Sequence, residues 1–442
     1  MKLNNLPGLL IYLNSSMNAF SKKFLVMLTV VLPFFCSGQT SSEIEVWLTQ
    51  NSTKISNDGN ESYHFNKEHF NQKTIIALGE PTYGTSEAQV SREKLLEFLV
   101  QNYNVKFLAL EAVSNCEIVN EFLLYGKGTA KAACKALDMW MYDTVETEKL
   151  MLWIRDYNQS RQRNEKIRFY GIDYAMQKIN DKFLSDSLVT KGIISKNLLN
   201  KVLIADAKSF NNRNSSMKEL NAYKSDLKIL ADSIASNKNP ICKQVSADYF
   251  FYVSYLCKTL DQTIQAKIFG KNIPTYYRDS CMAENVRFIS ANNDHGKVLV
   301  GGHNAHVRKI PNETLGFFLS STFGDKFYNI GIMTGEATFR AFVLDEVKHN
   351  YALKLNQIKD LKMNSLGKEL EAIGFGSFYL DFSSAKKNFI YKRLFEKPKL
   401  NLYAGWLYDP ENSKRYYLWD SLTKSYDAII YYPQTHNSFG IK

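Results

Sequence analysis

The stretch Thr74–Glu87, TIIALGEPTYGTSE, sets how the rest of the chain is read. A short apolar run ends in Gly79, and a carboxylate (Glu80), a phenol (Tyr83) and a second carboxylate (Glu87) follow at once. Apolar runs of this length closed by Gly and Pro have the pattern of buried strands in an α/β sheet. Ligands and catalytic groups of such sheets gather beyond the carboxyl ends of the strands. Glu80 therefore falls where an open sheet keeps its chemistry. Tyr83 stands where a base would be more useful.

Working outward, Glu87–Tyr103 carries Val90, Leu95, Leu96 and Leu99 at helical spacing and predicts an amphipathic helix. Val105–Leu110 predicts a second buried strand, ending at Glu111. Strand, helix and strand, each strand finishing in a glutamate, point to parallel neighbours joined by a crossover helix. Glu146–Asn158 reads as a helix whose Trp153 and Tyr157 face the core. Lys166–Gly171 predicts a third strand delivering Asp173, and Tyr277–Asn292 another helix. Lys297–Val300 then runs as a strand into GGHNAH, residues 301–306. Phe327–Met333, Thr338–Leu344 and Tyr426–Tyr432 are later strand candidates. Residues 178–275 are Lys/Asn/Ser-rich with helical periodicity and few strand signals. The expected fold class is α/β, a central, mainly parallel sheet wrapped by helices, with an inserted helical lobe at 178–275.

Residues 1–38 read as a signal peptide ahead of a domain spanning 39–442. Met17 offers a start, Lys22 and Lys23 a positive segment, Phe24–Phe35 an apolar core, and Cys36-Ser37-Gly38 small residues for cleavage. An exported protein, periplasmic or secreted, is expected. A lipoprotein acylated at Cys36 is the alternative, although Pro33-Phe34-Phe35 fits a lipobox poorly. No other segment is long and apolar enough to span a bilayer. Cleavage takes Lys2, Lys22 and Lys23 and no acid, so the net charge of +11 falls to +8. No Lys/Arg run, zinc finger or RNA-binding signature concentrates that charge, which argues against a nucleic-acid partner. Cys116, Cys134, Cys242, Cys257 and Cys281 remain; their odd number and the lack of a CxxC pair argue against a disulfide framework or a thiolate zinc site.

Four strand ends thus present polar groups: Glu80, Glu111, Asp173, and His303 with His306. Carboxylates beside imidazoles suit general acid–base work, since each shifts the other's pKa toward or across neutrality. Strand-end carboxylates can equally cap helices or pair with lysines. The segments GEPTYGTSE, LALEAVSN, TVETEKLMLWIRDYN, FYGIDY, RDSCMAENV and GGHNAHV, in this order from Ile75 to Met333, resemble the erythromycin esterase family. That resemblance implies an α/β sheet wrapped in helices and hydrolysis of a carboxylic ester, in some members a macrolide lactone, by activated water without a cofactor or required metal. It implies site roles for Glu80, Arg92, Glu111, His303 and His306. Arg278-Asp279 matches a recurrent pair at a helix start, read as structural.

The departure from the family lies at Tyr83, where the esterases carry a histidine proposed as the base. A tyrosine of ordinary pKa near 10 is about one part in a thousand phenolate at neutral pH. Its simplest role is to donate a hydrogen bond. Three readings follow. Ester hydrolysis continues with His303 or His306 as base and Tyr83 orienting water or a carbonyl. The pocket binds a small-molecule ligand without turning it over. Or the His/Glu cluster holds a metal whose bound water replaces the base; of the two uses of HxxH, the acid–base pair is preferred to the metal. Tyr142 is a candidate for the mouth of the substrate cleft. Ser86 and Ser114 lack a G-x-S-x-G elbow, which argues against a serine nucleophile. His64, His69, His295, His349 and His436 read as surface residues.

Overall fold

The computed structural model describes residues 41–441 apart from 57–62, 64, 114–115, 175–178, 212–214, 293–295, 346–349 and 360. Residues 1–38, read above as a signal peptide, lie outside the described residues together with Cys36, as do His64, Ser114, His295 and His349. Strand labels run in chain order: β1 (Thr53–Lys54), β2 (Ile75–Glu80), β3 (Phe107–Val113), β4 (Arg168–Asp173), β5 (Val298–His303) and β6 (Phe327–Asp345), then β7 (Asn350–Ile358), β8 (Phe378–Asp381), β9 (Lys399–Leu402), β10 (Tyr417–Asp420) and β11 (Ala428–Thr435).

Among the described residues, six strands run parallel in the order β11-β6-β2-β5-β3-β4. β8 joins β11 antiparallel and β1 joins β8, while β7 folds back antiparallel on the far half of β6. Every residue of β2, β3, β4 and β5 is buried. Helices cover both faces of such a sheet, which is why its strands read as continuous apolar runs rather than alternating ones. The helices Ser86–Tyr103, Val145–Gln159, Tyr277–Ala291 and Leu315–Phe323 supply much of that cover, Leu95, Leu99, Met151, Ile154, Val286 and Leu319 packing into one core with the strands.

Two expectations change. β2 and β3 are parallel but not neighbours, because β5 pairs with both and lies between them. The crossover helix Ser86–Tyr103 therefore skips one strand position, and a strand from almost two hundred residues later fills it. Its filling sets the site, since Glu80 stands in register with His303. Phe327–Met333 and Thr338–Leu344 are also one continuous strand, β6, whose first half pairs with β2 and whose second half carries β7.

Between β4 and β5 the described residues form helices from Asp181–Leu184 to Ala247–Phe269. Leu184, Leu227, Leu230, Val253 and Leu260 share an apolar cluster separate from the central one. The helix Ala247–Phe269 also faces the sheet, with Phe251 and Tyr255 in the central core and the Tyr255 hydroxyl donating to the Gly171 carbonyl at 2.7 Å. No helix of the described residues is long and apolar enough to cross a membrane. Cys134, Cys257 and Cys281 are buried free thiols and Cys242 a half-buried one.

Candidate active site

The carboxyl ends of β2, β5, β3 and β4 line up Glu80, His303, Glu111 and Asp173. Glu111 lies within β3, where the pairing with β4 shifts register between Leu110 and Val113. Such bulges re-aim side chains. Its carboxylate leans across β5, and Oε2 accepts the backbone N–H of His303 at 2.8 Å. Gly302 makes that crossing possible: a Cβ there would stand 3.1 Å from Oε2 and 3.3 Å from the Glu111 Cβ. Gly79 likewise leaves room for Asn304, whose Oδ1 would sit 2.2 Å from a Cβ. The Asn304 amide donates to the Ile332 carbonyl at 2.6 Å, tying the histidine turn to β6.

Glu111 is the hub, and only 1 % exposed. Oε1 accepts from the Tyr83 hydroxyl at 2.7 Å and from Arg278 Nη2 at 2.8 Å, and lies 3.4 Å from His306 Nε2. Burial alone pushes its pKa up, but His306, Arg278, the His303 amide and Tyr83 outweigh it and hold the pKa down at about 2. Arg278, in the first turn of Tyr277–Ala291, also grips Asp173 Oδ2 through Nε at 3.0 Å and Nη2 at 2.7 Å. Its Nη1 stands 3.0 Å from His306 Nε2. Asp279 holds the other ring nitrogen, Nδ1, at 2.8 and 2.9 Å, and its Oδ2 accepts the Leu315 amide. Nδ1–H donating to Asp279 leaves the Nε2 lone pair to accept from Arg278 Nη1. Burial lowers the His306 pKa, but Glu111 and Asp279 together raise it above the ordinary histidine value.

The two histidines of GGHNAH have opposite surroundings. His303 is 4 % exposed, and both ring nitrogens are engaged by the backbone. Nδ1 accepts the Ala305 amide at 3.2 Å, capping the turn Asn304–Val307, and Nε2–H donates to the Ala404 carbonyl at 3.2 Å. Burial, more than anything else, drives its pKa down to about 4, so it is neutral at physiological pH. The reading of His303 as the base is thereby corrected: it has no free lone pair to offer. The side chain of His306 is 22 % exposed and that of Arg278 32 %. The open face of the cluster is these two groups.

Glu80 and Arg92 lie behind it, both buried, with Arg92 Nη2 donating to Glu80 Oε1 at 3.2 Å. Burial raises the Glu80 pKa to about 7, with Arg92 opposing and Glu111 reinforcing the rise. Tyr83 is buried against the His303 ring, centroids 4.9 Å apart, and burial keeps its phenol protonated. Tyr142 is 1 % exposed, so it does not line a cleft mouth. Its ring lies 5.6 Å beneath the Arg92 guanidinium and its hydroxyl donates to the Glu111 carbonyl at 3.3 Å. It supports the site from below.

Three groups escaped the sequence reading. Arg278 and Asp279 were assigned to helix structure, yet they orient Glu111, Asp173 and His306. Consecutive opposite charges in a first helical turn were the available signal. The segment Tyr403–Trp406 crosses over β2 and β5, its Ala404 amide bonded to the Pro81 carbonyl, and nothing in its sequence announces that. Among the histidines read as surface, His436 is exposed and bonded to Glu87, whereas His69 is largely covered, its Nδ1 3.1 Å from Asp381. The metal reading, His303 and His306 with Glu80 and Glu111, does not fit: the backbone holds both ring nitrogens of His303, Arg92 is paired with Glu80, and the guanidinium of Arg278 bonds Glu111 and stands at His306 Nε2.

Fold and site together define an α/β protein with a carboxylate–histidine–arginine cluster at the carboxyl edge of a parallel sheet. The chain belongs to the erythromycin esterase family, whose sequence profile matches residues 100–435. Glu80, Tyr83 and Arg92 precede the matched stretch. The chain is 24 % identical over 343 residues to the erythromycin esterase type II of Escherichia coli, covering 70 % of this chain and 80 % of that one. Its fold is similar to a Bacillus cereus protein of known structure at a TM-score of 0.75 and 19 % identity, covering 91 % and 99 % of the two chains. A mutant of the erythromycin esterase EreC in its open conformation superposes at a TM-score of 0.58 with 16 % identity, covering 84 % of this chain and 93 % of that one.

Proposed function

We propose that the protein hydrolyses a carboxylic ester by attack of a water activated at His306. The observation that carries this is the Asp279–His306 pair, with Nδ1 fixed by the carboxylate and Nε2 facing the guanidinium of Arg278, the most exposed group of the cluster. In the reaction Nε2 accepts a proton from water as its oxygen bonds to the ester carbonyl carbon. Arg278 turns from Nε2 to the carbonyl oxygen and stabilises the negative charge that develops there. The tetrahedral adduct expels the alkoxide, which takes the proton back from the imidazolium. Glu111, ionised throughout, and Asp279 stabilise that imidazolium, and Tyr83 holds Glu111 in place as a hydrogen-bond donor.

The substrate class is a carboxylic ester, and a macrolide lactone belongs to it on the strength of the relatives' names. Export rests on the signal-like residues 17–38. A second reading, a ligand-binding relative without turnover, draws on Tyr83 in the place of the family's histidine and on Arg278 occupying Nε2. A hydrolysis screen of macrolides and aryl esters, with and without chelator, separates the readings. Chelator-insensitive turnover of any ester supports the proposal; saturable binding with no turnover sinks it.

A further inference from the structure

The amino-terminal edge of the sheet, opposite the acid–base cluster, carries a groove of about 710 Å³. The registers Phe107–Val298 and Phe107–Arg168 set Lys297, Lys106 and Arg168 at the starts of three neighbouring strands, β5, β3 and β4. Neighbouring strands lie about 4.8 Å apart, so the fold gathers cations that form no run in the sequence. Strands of six residues span roughly 20 Å, which separates this groove from the hydrolytic site.

Arg163, ahead of β4, is the fourth cation of the lining, and Asp248 is its single acid. Asp248 is already shared: Oδ2 accepts from Arg163 Nε at 2.8 Å and Oδ1 from Arg168 Nε at 3.0 Å. Arg168 also donates Nη1 to the Lys166 carbonyl and Nη2 to the Arg163 carbonyl, so it builds the wall. Arg163 is 53 % exposed and keeps both Nη groups free among the described residues. Lys106 and Lys297, both half-buried, have no ion pair among the described residues. Lys297 Nζ donates to the Asn71 carbonyl at 3.2 Å and lies 5.0 Å over the Tyr103 ring, which fixes its ammonium at the groove. Burial lowers its pKa, and no carboxylate opposes that shift. Asn104, Gln162 and Asn164 add exposed amides to the lining. Ammonium, guanidinium and amide N–H groups around one hollow are the donors that bind multivalent oxyanions.

We propose that this groove binds a small soluble polyanion, a molecule bearing two or more phosphate groups, between Lys106, Lys297 and Arg163. The two lysines supply charge that no carboxylate of the groove matches, and the Arg163 Nη groups supply a planar fork for one phosphate. Binding is independent of ester hydrolysis.

Inorganic tripolyphosphate and orthophosphate, titrated calorimetrically into the full chain at constant ionic strength, test this without any mutation. Tripolyphosphate is expected to saturate the protein with a Kd below ~1 mM, and orthophosphate to bind at least ~10-fold more weakly. The double variant Lys106→Gln/Lys297→Gln is expected to weaken tripolyphosphate at least ~10-fold while circular dichroism stays that of the parent. Lys218→Gln/Lys414→Gln removes the same charge from exposed positions elsewhere and is expected to change binding less than ~3-fold. The proposal is overturned if tripolyphosphate shows no saturable binding up to ~10 mM, if orthophosphate binds equally well, or if the two double variants weaken binding alike.

Discussion

The carboxyl edge of the sheet holds two half-sites that share Glu111 and differ in everything else. On one side Glu80, Arg92, Tyr83 and His303 are sealed, each bonded to a neighbour or to the backbone. On the other Asp173, Arg278, Asp279 and His306 form a network whose arginine and histidine reach solvent. The sealed half fixes geometry, and the open half can meet a substrate. A motif in which two histidines stand three apart thus assigns them different tasks, through burial and partners rather than through residue type.

The comparison can be broken at several points. Arg278→Ala should have the largest effect on folding, because it leaves Glu111 and Asp173 buried without their cation. Breaking a buried pair in this way costs about 3–5 kcal/mol, to be read by chemical denaturation. Glu111, held at about 2 against an ordinary 4.5, adds stability above pH 4.5 that is lost as pH falls toward 2. In Arg278→Ala the folded pKa of Glu111 moves back toward 4.5, so that acid-side loss should be smaller and complete at a higher pH.

Glu80 has the opposite sign. Its folded pKa of about 7 exceeds the ordinary 4.5, so its contribution is complete below pH 4.5 and declines as pH rises through 7, by about 3 kcal/mol. Glu80→Gln should flatten that slope; an unchanged slope between pH 5 and 8 would show that Glu80 stays ionised in the fold.

Asp279→Asn removes one of the two groups that raise the His306 pKa. Activity that depends on neutral His306 rises with pH through that pKa, so the variant should move the rising limb to lower pH and lower the plateau. Tyr83→Phe is the mildest change. Losing one hydrogen bond to Glu111 should cost about 1–3 kcal/mol of stability and less than ~10-fold in turnover. A loss as large as that of a base would make Tyr83 part of the open half after all.

Much of this was legible in the chain. The apolar runs ending at Glu80, Glu111, Asp173 and His303 report burial on both sheet faces, which depends on local composition. The close approach of Glu111 to Gly302 was not read from the sequence. The position of β5 between β2 and β3 was not legible, because pairing across almost two hundred residues leaves no local trace. The same holds for Tyr403–Trp406 over the site. The roles of Arg278 and Asp279 depend on which carboxylate and imidazole face them. For the same reason Tyr142 turned out to be a support and His303 a cap.

The most direct test of the account is ester turnover by His303→Asn and His306→Asn side by side, with folding checked by circular dichroism. Asn can still cap the turn that His303 caps, so His303→Asn is predicted to keep turnover within ~10-fold of the parent. His306→Asn is predicted to lose ~10²–10⁴-fold. Parent-like turnover in His306→Asn, or a loss confined to His303→Asn, would contradict the division of labour described here.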